Sequence, residues 1–157
     1  MIPLLSGKPE NFLIVAATGI GKTELNAFDS ALFEAGIAEY NLVKVSSIIP
    51  PGAKEVSFIE LPKGSYLPIA YGAITSSKEG TLISAAVAVG LPEEKENCGV
   101  IMEFAGYMSE EEARERVRLM AEEALKMRSG GIERIDVRSA SILVKESSCA
   151  FAGVALW

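Results

Sequence analysis

Between residues 41 and 105 the chain falls into short apolar segments, 41–49, 55–61, 69–76, 81–91 and 98–105, each closed by proline, glycine or charged residues. That punctuation leaves little room for helices, because proline removes a backbone donor and glycine permits the turn. The middle third is therefore expected to be sheet, with a helix on either side of it. In the first helix Thr23 is the cap, Leu25, Phe28, Leu32 and Ala35 fall at helical spacing, Asp29 lies beside that apolar face, and Gly36 supplies the left-handed stop. In the second, Ser109 and Glu112 form a capping box ahead of Val117, Met120, Ala121, Ala124 and Leu125, and Gly130-Gly131 ends the run. A buried strand, FLIVAA at 12–17, enters a glycine-rich turn at 18–22, and two further strands, 134–145 and 150–157, close the chain. The last is nearly all apolar, as a central strand covered on both faces would be. One α+β domain over residues 1–157 is expected.

The chain contains no histidine. This excludes Ser-His-Asp and Cys-His catalysis, HExxH zinc sites and imidazole acid–base chemistry near neutral pH. With 21 acidic against 15 basic residues, the net charge of −6 argues against nucleic acid as a partner. Cys98 and Cys149 are far apart, show no metal-ligand spacing and read as free thiols in a reducing compartment. No apolar run reaches the roughly 18 residues of a membrane span, so a cytoplasmic protein without membrane contact or bound metal is expected.

Residues 16–23, AATGIGKT, differ from the phosphate-cradling G-x-x-x-x-G-K-[ST] loop only in having Ala16 for the first glycine. In such a loop backbone amides would hold phosphate, Lys22 would neutralise it and Thr23 would hold magnesium. Against this, no apolar strand ending in an acidic magnesium partner follows, and the chain lacks alternating strand–helix units. A nucleotide-binding domain is kept as an alternative to a plain tight turn.

Five blocks carry a stronger signal: LNAFDSALFEAGI at 25–37, NLVKVSSIIPPGA at 41–53, AYGAITS at 70–76, GVIMEFAG at 99–106 and CAFAGVALW at 149–157. In this order, over almost the whole chain, they resemble the pyruvoyl-dependent arginine decarboxylases. The resemblance implies an αββα layered sandwich with mostly antiparallel or mixed sheets, assembled as a homo-oligomer, a trimer or a hexamer built from two trimers, with sites between subunits. It implies conversion of L-arginine to agmatine and carbon dioxide without PLP or metal. Loss of carbon dioxide from an α-amino acid leaves an electron pair on Cα that needs a sink, such as a protonated Schiff base conjugated to a carbonyl. In this family a covalent pyruvoyl group is the source of that sink. It arises when the chain cuts itself between Ser46 and Ser47, giving a 1–46 fragment (β chain) and a 47–157 fragment (α chain) headed by the converted Ser47. A pyruvoyl-dependent decarboxylase of another amino acid is the nearest alternative.

Carried over residue by residue, the resemblance gives each candidate a role beside a plainer one. Ser46 and Ser47 flank the cleaved bond, although Ser-Ser at a strand end commonly just bonds a turn. Asn41 would steady the oxyanion during processing, or simply begin a strand. Glu103, in a strand apolar on both faces, would be desolvated, stay protonated and return a proton to Cα, or else be a paired structural glutamate. Asp29 would receive the substrate guanidinium through two parallel hydrogen bonds, or merely favour the N-terminal half of a helix.

Overall fold

In the computed structural model, which describes residues 7–128 and 131–157, the apolar strands stack as two sheets. The first sheet has the order β2 (Asn41–Lys44), β5 (Tyr66–Ser76), β9 (Ser147–Leu156), β1 (Asn11–Gly21) and β4 (Lys54–Glu55). The second has the order β3 (Ile48–Ile49), β7 (Gly99–Gly106), β6 (Leu82–Pro92) and β8 (Ile132–Leu143). Pairing is antiparallel except for β1 with β4 and β2 with β5. Period-two alternation assigns each side chain to a layer. Ile14, Ala70, Val87, Ile101, Ala152 and Val154 meet between the sheets. The opposite face of the first sheet, with Leu13, Ile69 and Phe151, receives α1 (Glu24–Glu34), and that of the second, with Ala86 and Val100, receives α2 (Glu110–Arg128). The layers run helix, sheet, sheet, helix, as the resemblance implied.

Strand β9 explains why a run such as SSCAFAGVAL is nearly free of charge. It lies between β5 and β1, every residue is buried, and Ala152 faces the second sheet while Phe151 faces α1. The second helix follows its sequence: Ser109 Oγ accepts from the Glu112 amide at 3.1 Å, and Ala113, Val117, Ala121, Ala124 and Leu125 are buried. Glu112 turns to Arg116 at 3.4 Å rather than closing the box. Gly130, the expected end of this helix, lies outside the described residues.

Four expectations are corrected. The stretch 18–21 is not a turn but the second half of β1, paired with Ser147–Ala150 of β9. Its glycines are there because α1 crosses directly above. A Cβ on Gly19 would sit 2.3 Å from the Ala27 carbonyl oxygen, and one on Gly21 would sit 2.5 Å from the Ala27 amide nitrogen. Thr23 does cap α1, accepting from the Asn26 amide at 3.1 Å. A phosphate loop is thereby replaced by extended strand. Of the expected apolar face of α1, Phe28, Leu32 and Ala35 do pack into the core beside Ala27 and Ala31, but Leu25 is 76% exposed. Segment 55–61 yields only Lys54–Glu55 as strand, because Val56, Ile59 and Leu61 instead tuck into the core beneath α1.

The fourth correction matters most. Residues 41–49 are not one strand: β2 pairs with β5 in the first sheet and β3 pairs with β7 in the second. Between them, Val45, Ser46 and Ser47 cross from one sheet to the other.

Candidate active site

The crossing is tied down at both ends. The Val45 amide donates to the Ile69 carbonyl of β5 at 3.1 Å, and the Ser47 carbonyl accepts from the Ile101 amide of β7 at 2.8 Å. The Ser46–Ser47 peptide is the link between these anchors, and its serines are exposed and half-buried respectively. Belonging to neither ladder, this peptide has no sheet hydrogen bond on the Ser46 carbonyl or the Ser47 amide among the described residues.

Glu103 comes to the same place. The register Ile48 with Val100 and Ile49 with Gly99 continues to Ser47 opposite Ile101, so Glu103 lies two residues, about 6.6 Å, further along β7 on the same face. That face looks between the sheets. Strand β7 is fully buried at Gly99–Ile101 but half-buried from Met102 onward, because β3 ends and nothing else covers that edge among the described residues. Burial still dominates at Glu103 and pushes its carboxyl above the ordinary value of 4.5, while the Lys44 ammonium pulls the other way. The shift is toward the protonated form, the direction that proton donation needs.

Gly72 is a residue that sequence reasoning missed. It lies on β5 and its inward side meets the Phe104 backbone, where an added Cβ would be 3.3 Å from the Phe104 carbonyl carbon and 3.5 Å from Glu103 Cβ. Absence of a side chain lets the two sheet edges close beside Glu103. An isolated glycine inside AYGAITS was the available signal, since glycine in a strand often marks close backbone approach.

Asp29 and Asn41 are elsewhere in the chain. Asp29 is exposed on α1, which covers the face of the first sheet turned away from Glu103, and it makes no hydrogen bond or ion pair among the described residues. Leu25 and Phe33, one turn to either side of it, are 76% and 70% exposed. Asn41 opens β2, and its side-chain amide donates to the Gly64 carbonyl at 2.9 Å. It is five residues from Ser46, about 16 Å of extended chain. Within one chain the structure therefore joins Ser46, Ser47 and Glu103 and leaves Asp29 and Asn41 apart from them. A separate cavity of about 680 Å³, lined by Asn11, Glu55, Phe58 and Arg138, opens at the other edge of the sandwich.

The arrangement suits a carbonyl group generated at position 47. Its backbone carbonyl is anchored, its peptide nitrogen is outside the ladders, and a carboxyl that burial shifts toward the protonated form stands nearby. Comparison with known proteins agrees. The family model for pyruvoyl-dependent arginine decarboxylase matches residues 11–152. A protein of that name from Methanocaldococcus jannaschii is 44% identical over 149 residues, covering 95% of this chain and 90% of its own length. One from Pyrococcus abyssi is 46% identical over 146 residues, covering 90% of each. The chain belongs to the pyruvoyl-dependent arginine decarboxylase family.

Proposed function

We propose that this chain cleaves itself between Ser46 and Ser47 and then converts L-arginine to agmatine and carbon dioxide. The observation that carries the reading is the Ser46–Ser47 peptide crossing between two sheets beside Glu103.

Processing needs only groups of the chain and one water. Ser47 Oγ adds to the Ser46 carbonyl carbon, one residue away and without a bimolecular encounter, and the C–N bond breaks to leave an ester. Loss of the Ser47 α-proton then breaks the ester C–O bond. Ser46 is left as a carboxylate and residue 47 as dehydroalanine, which takes up water and releases ammonia to become the pyruvoyl group. Residues 1–46 stay in place, since β1 and β2 are held in the first sheet by β9 and β5. Asn41 acts here as a positioning residue, fixing the start of β2 through Gly64.

The resulting carbonyl supplies the electron sink for loss of carbon dioxide. Glu103, whose burial favours its protonated form, returns a proton to the substrate Cα. Asp29 receives the guanidinium in two parallel hydrogen bonds, a geometry that a substrate ending in a single ammonium does not match. Because α1 and Glu103 are on opposite sides of one sheet, Asp29 reaches the site from a neighbouring subunit. The exposed Leu25 and Phe33 beside it are then covered in the assembly, a trimer or a pair of trimers. We place the protein in the cytoplasm, where its two free cysteines stay reduced. Among the described residues no helix is long and apolar enough to cross a membrane.

Incubation with L-arginine, L-ornithine and L-lysine tests the reading. Agmatine formed from arginine, with far slower turnover of the other two, is expected; equal turnover of all three would refute the guanidinium site.

A further inference from the structure

Tyr107 follows β7 directly and is 61% exposed, yet its hydroxyl turns inward and donates to Ser76 Oγ at the end of β5 over 3.2 Å. Ser76 is buried, and its oxygen also accepts from the Lys78 amide at 3.1 Å, which fixes its place. The bond joins the two sheets. Ala70 and Ile74 of β5 and Ile101 and Ala105 of β7 pack between the sheets, so alternation carries Ser76 and Tyr107 onto the same inner faces as Gly72 and Glu103. Ser76 lies four residues beyond Gly72 and Tyr107 four beyond Glu103, the pair in close contact. Among the described residues, β5 beyond Ile69 and β7 beyond Ile101 have no outer strand beside them. Between these bare edges runs an open slot. The Val45–Ser47 crossing closes one end, and Tyr107 on Ser76 closes the other, about 20 Å away along β7.

We propose that Tyr107 is a positioning residue for the reaction: its hydrogen bond to Ser76 fixes the gap between β5 and β7, and with it the place of the Glu103 carboxyl. This rests on Glu103 being the proton donor. In the uncut chain the covalent crossing also spans the two sheets beside Glu103, so the bond is a second tie. Cutting at Ser46–Ser47 removes the covalent one. The Tyr107–Ser76 bond lies wholly within the 47–157 fragment and survives. Apolar packing between the sheets is non-directional and permits small shifts, whereas a hydrogen bond holds two atoms to a narrow range of distance. At the opposite edge of the sandwich the sheets are tied by Arg134 on Glu55 at 3.1 Å. Loss of the Tyr107 hydroxyl therefore loosens the edge that carries the site and leaves the other edge fastened.

Tyr107→Phe and Ser76→Ala each delete one hydroxyl. In processed enzyme either should lower kcat for arginine roughly 3- to 10-fold, the range of one neutral hydrogen bond, with KM unchanged. The double variant should fall no further than the single ones, because both remove the same bond. Cleavage should proceed as in the parent, since the crossing is intact until the chain is cut. A second readout follows the proton itself. When it goes to the carbon of residue 47 instead of the substrate Cα, the substrate nitrogen stays behind. Residue 47 then becomes alanine, and water releases the rest of the substrate as an aldehyde. Mass spectrometry of the 47–157 fragment counts this alanine against the agmatine formed. The ratio should rise in both variants, whereas a purely structural role would reduce the amount of folded enzyme without moving it. If Ser76→Ala does not fold, Tyr107→Phe decides alone. An unchanged ratio, a loss confined to KM, or losses that add in the double variant would overturn the proposal. Should Glu103→Gln turn over at the parental rate, the proton-donor reading falls and takes this proposal with it; a slowed Glu103→Gln beside an unaltered Tyr107→Phe removes the proposal alone.

Discussion

The Ile101 amide donates to the Ser47 carbonyl over 2.8 Å, and Glu103 follows two residues later on the same strand and face. One strand therefore positions both the serine proposed for conversion and the carboxyl proposed as its acid. The other end of the crossing is fixed by Val45 on Ile69, so the two sheets jointly set the separation that the Ser46–Ser47 peptide spans.

Burial of Glu103 has a consequence for stability. Because its folded value is raised, the fold favours the protonated acid; that contribution is complete below the ordinary value of 4.5 and is lost as pH rises through the folded value. In the uncleaved Ser47→Ala chain, Glu103→Gln should leave the melting temperature unchanged near pH 4 and raise it near pH 8. Thermal unfolding followed by circular dichroism at the two pH values checks this, and a gain that is the same at both would contradict it.

Asp29→Asn keeps the shape of the side chain and removes its charge. Charged hydrogen bonds are worth about 1.5–3 kcal/mol, so kcat/KM for arginine should fall roughly 10- to 100-fold. The extent of cleavage at Ser46–Ser47, measured on the same preparations, should match the parent. Loss of cleavage together with activity would mean that Asp29 acts in processing or folding instead.

Gly19→Ala places a methyl group 2.3 Å from backbone atoms of α1. No side chain can swing away, so the helix must lift from β1. Destabilisation should reach or exceed the upper end of the roughly 1–3 kcal/mol typical of overpacking, visible as a lower denaturant midpoint. A phosphate-binding role for this segment would instead show as nucleotide affinity, which the strand geometry does not support.

Burial pushes the Cys149 thiol up to about 12, whereas Cys98 is only half-buried. Iodoacetamide at pH 8 should alkylate Cys98 in the folded protein and reach Cys149 only after denaturation. Peptide mass mapping distinguishes the two.

Local signals in the sequence were sufficient for much of the fold. Gly36 does end α1 with a φ of 77°, Ser109 does cap α2, and the uncharged run 150–157 is a central strand. Each depends on neighbours within a few residues. The split of 41–49 was not legible, because NLVKVSSII is uniformly strand-like and only the partners β5 and β7 decide where its halves go. The glycines of GIGKT were misleading for a related reason, since close helix packing and a phosphate cradle both demand the absence of a side chain. Glu103 could be singled out as a carboxylate in an apolar strand. Asp29 was recognisable only from NAFD in its family context, and its distance from Glu103 within one chain depends on which face of the sheet α1 covers.

The central claim is that the peptide between the two sheets is cut and its second serine converted. Denaturing mass spectrometry of arginine-decarboxylating protein tests it most directly. The account predicts two fragments, 1–46 and 47–157, the larger one beginning with a pyruvoyl group in place of Ser47 and blocked to sequential degradation from its N-terminus. An intact chain of 157 residues as the sole species in a fully active preparation would contradict it.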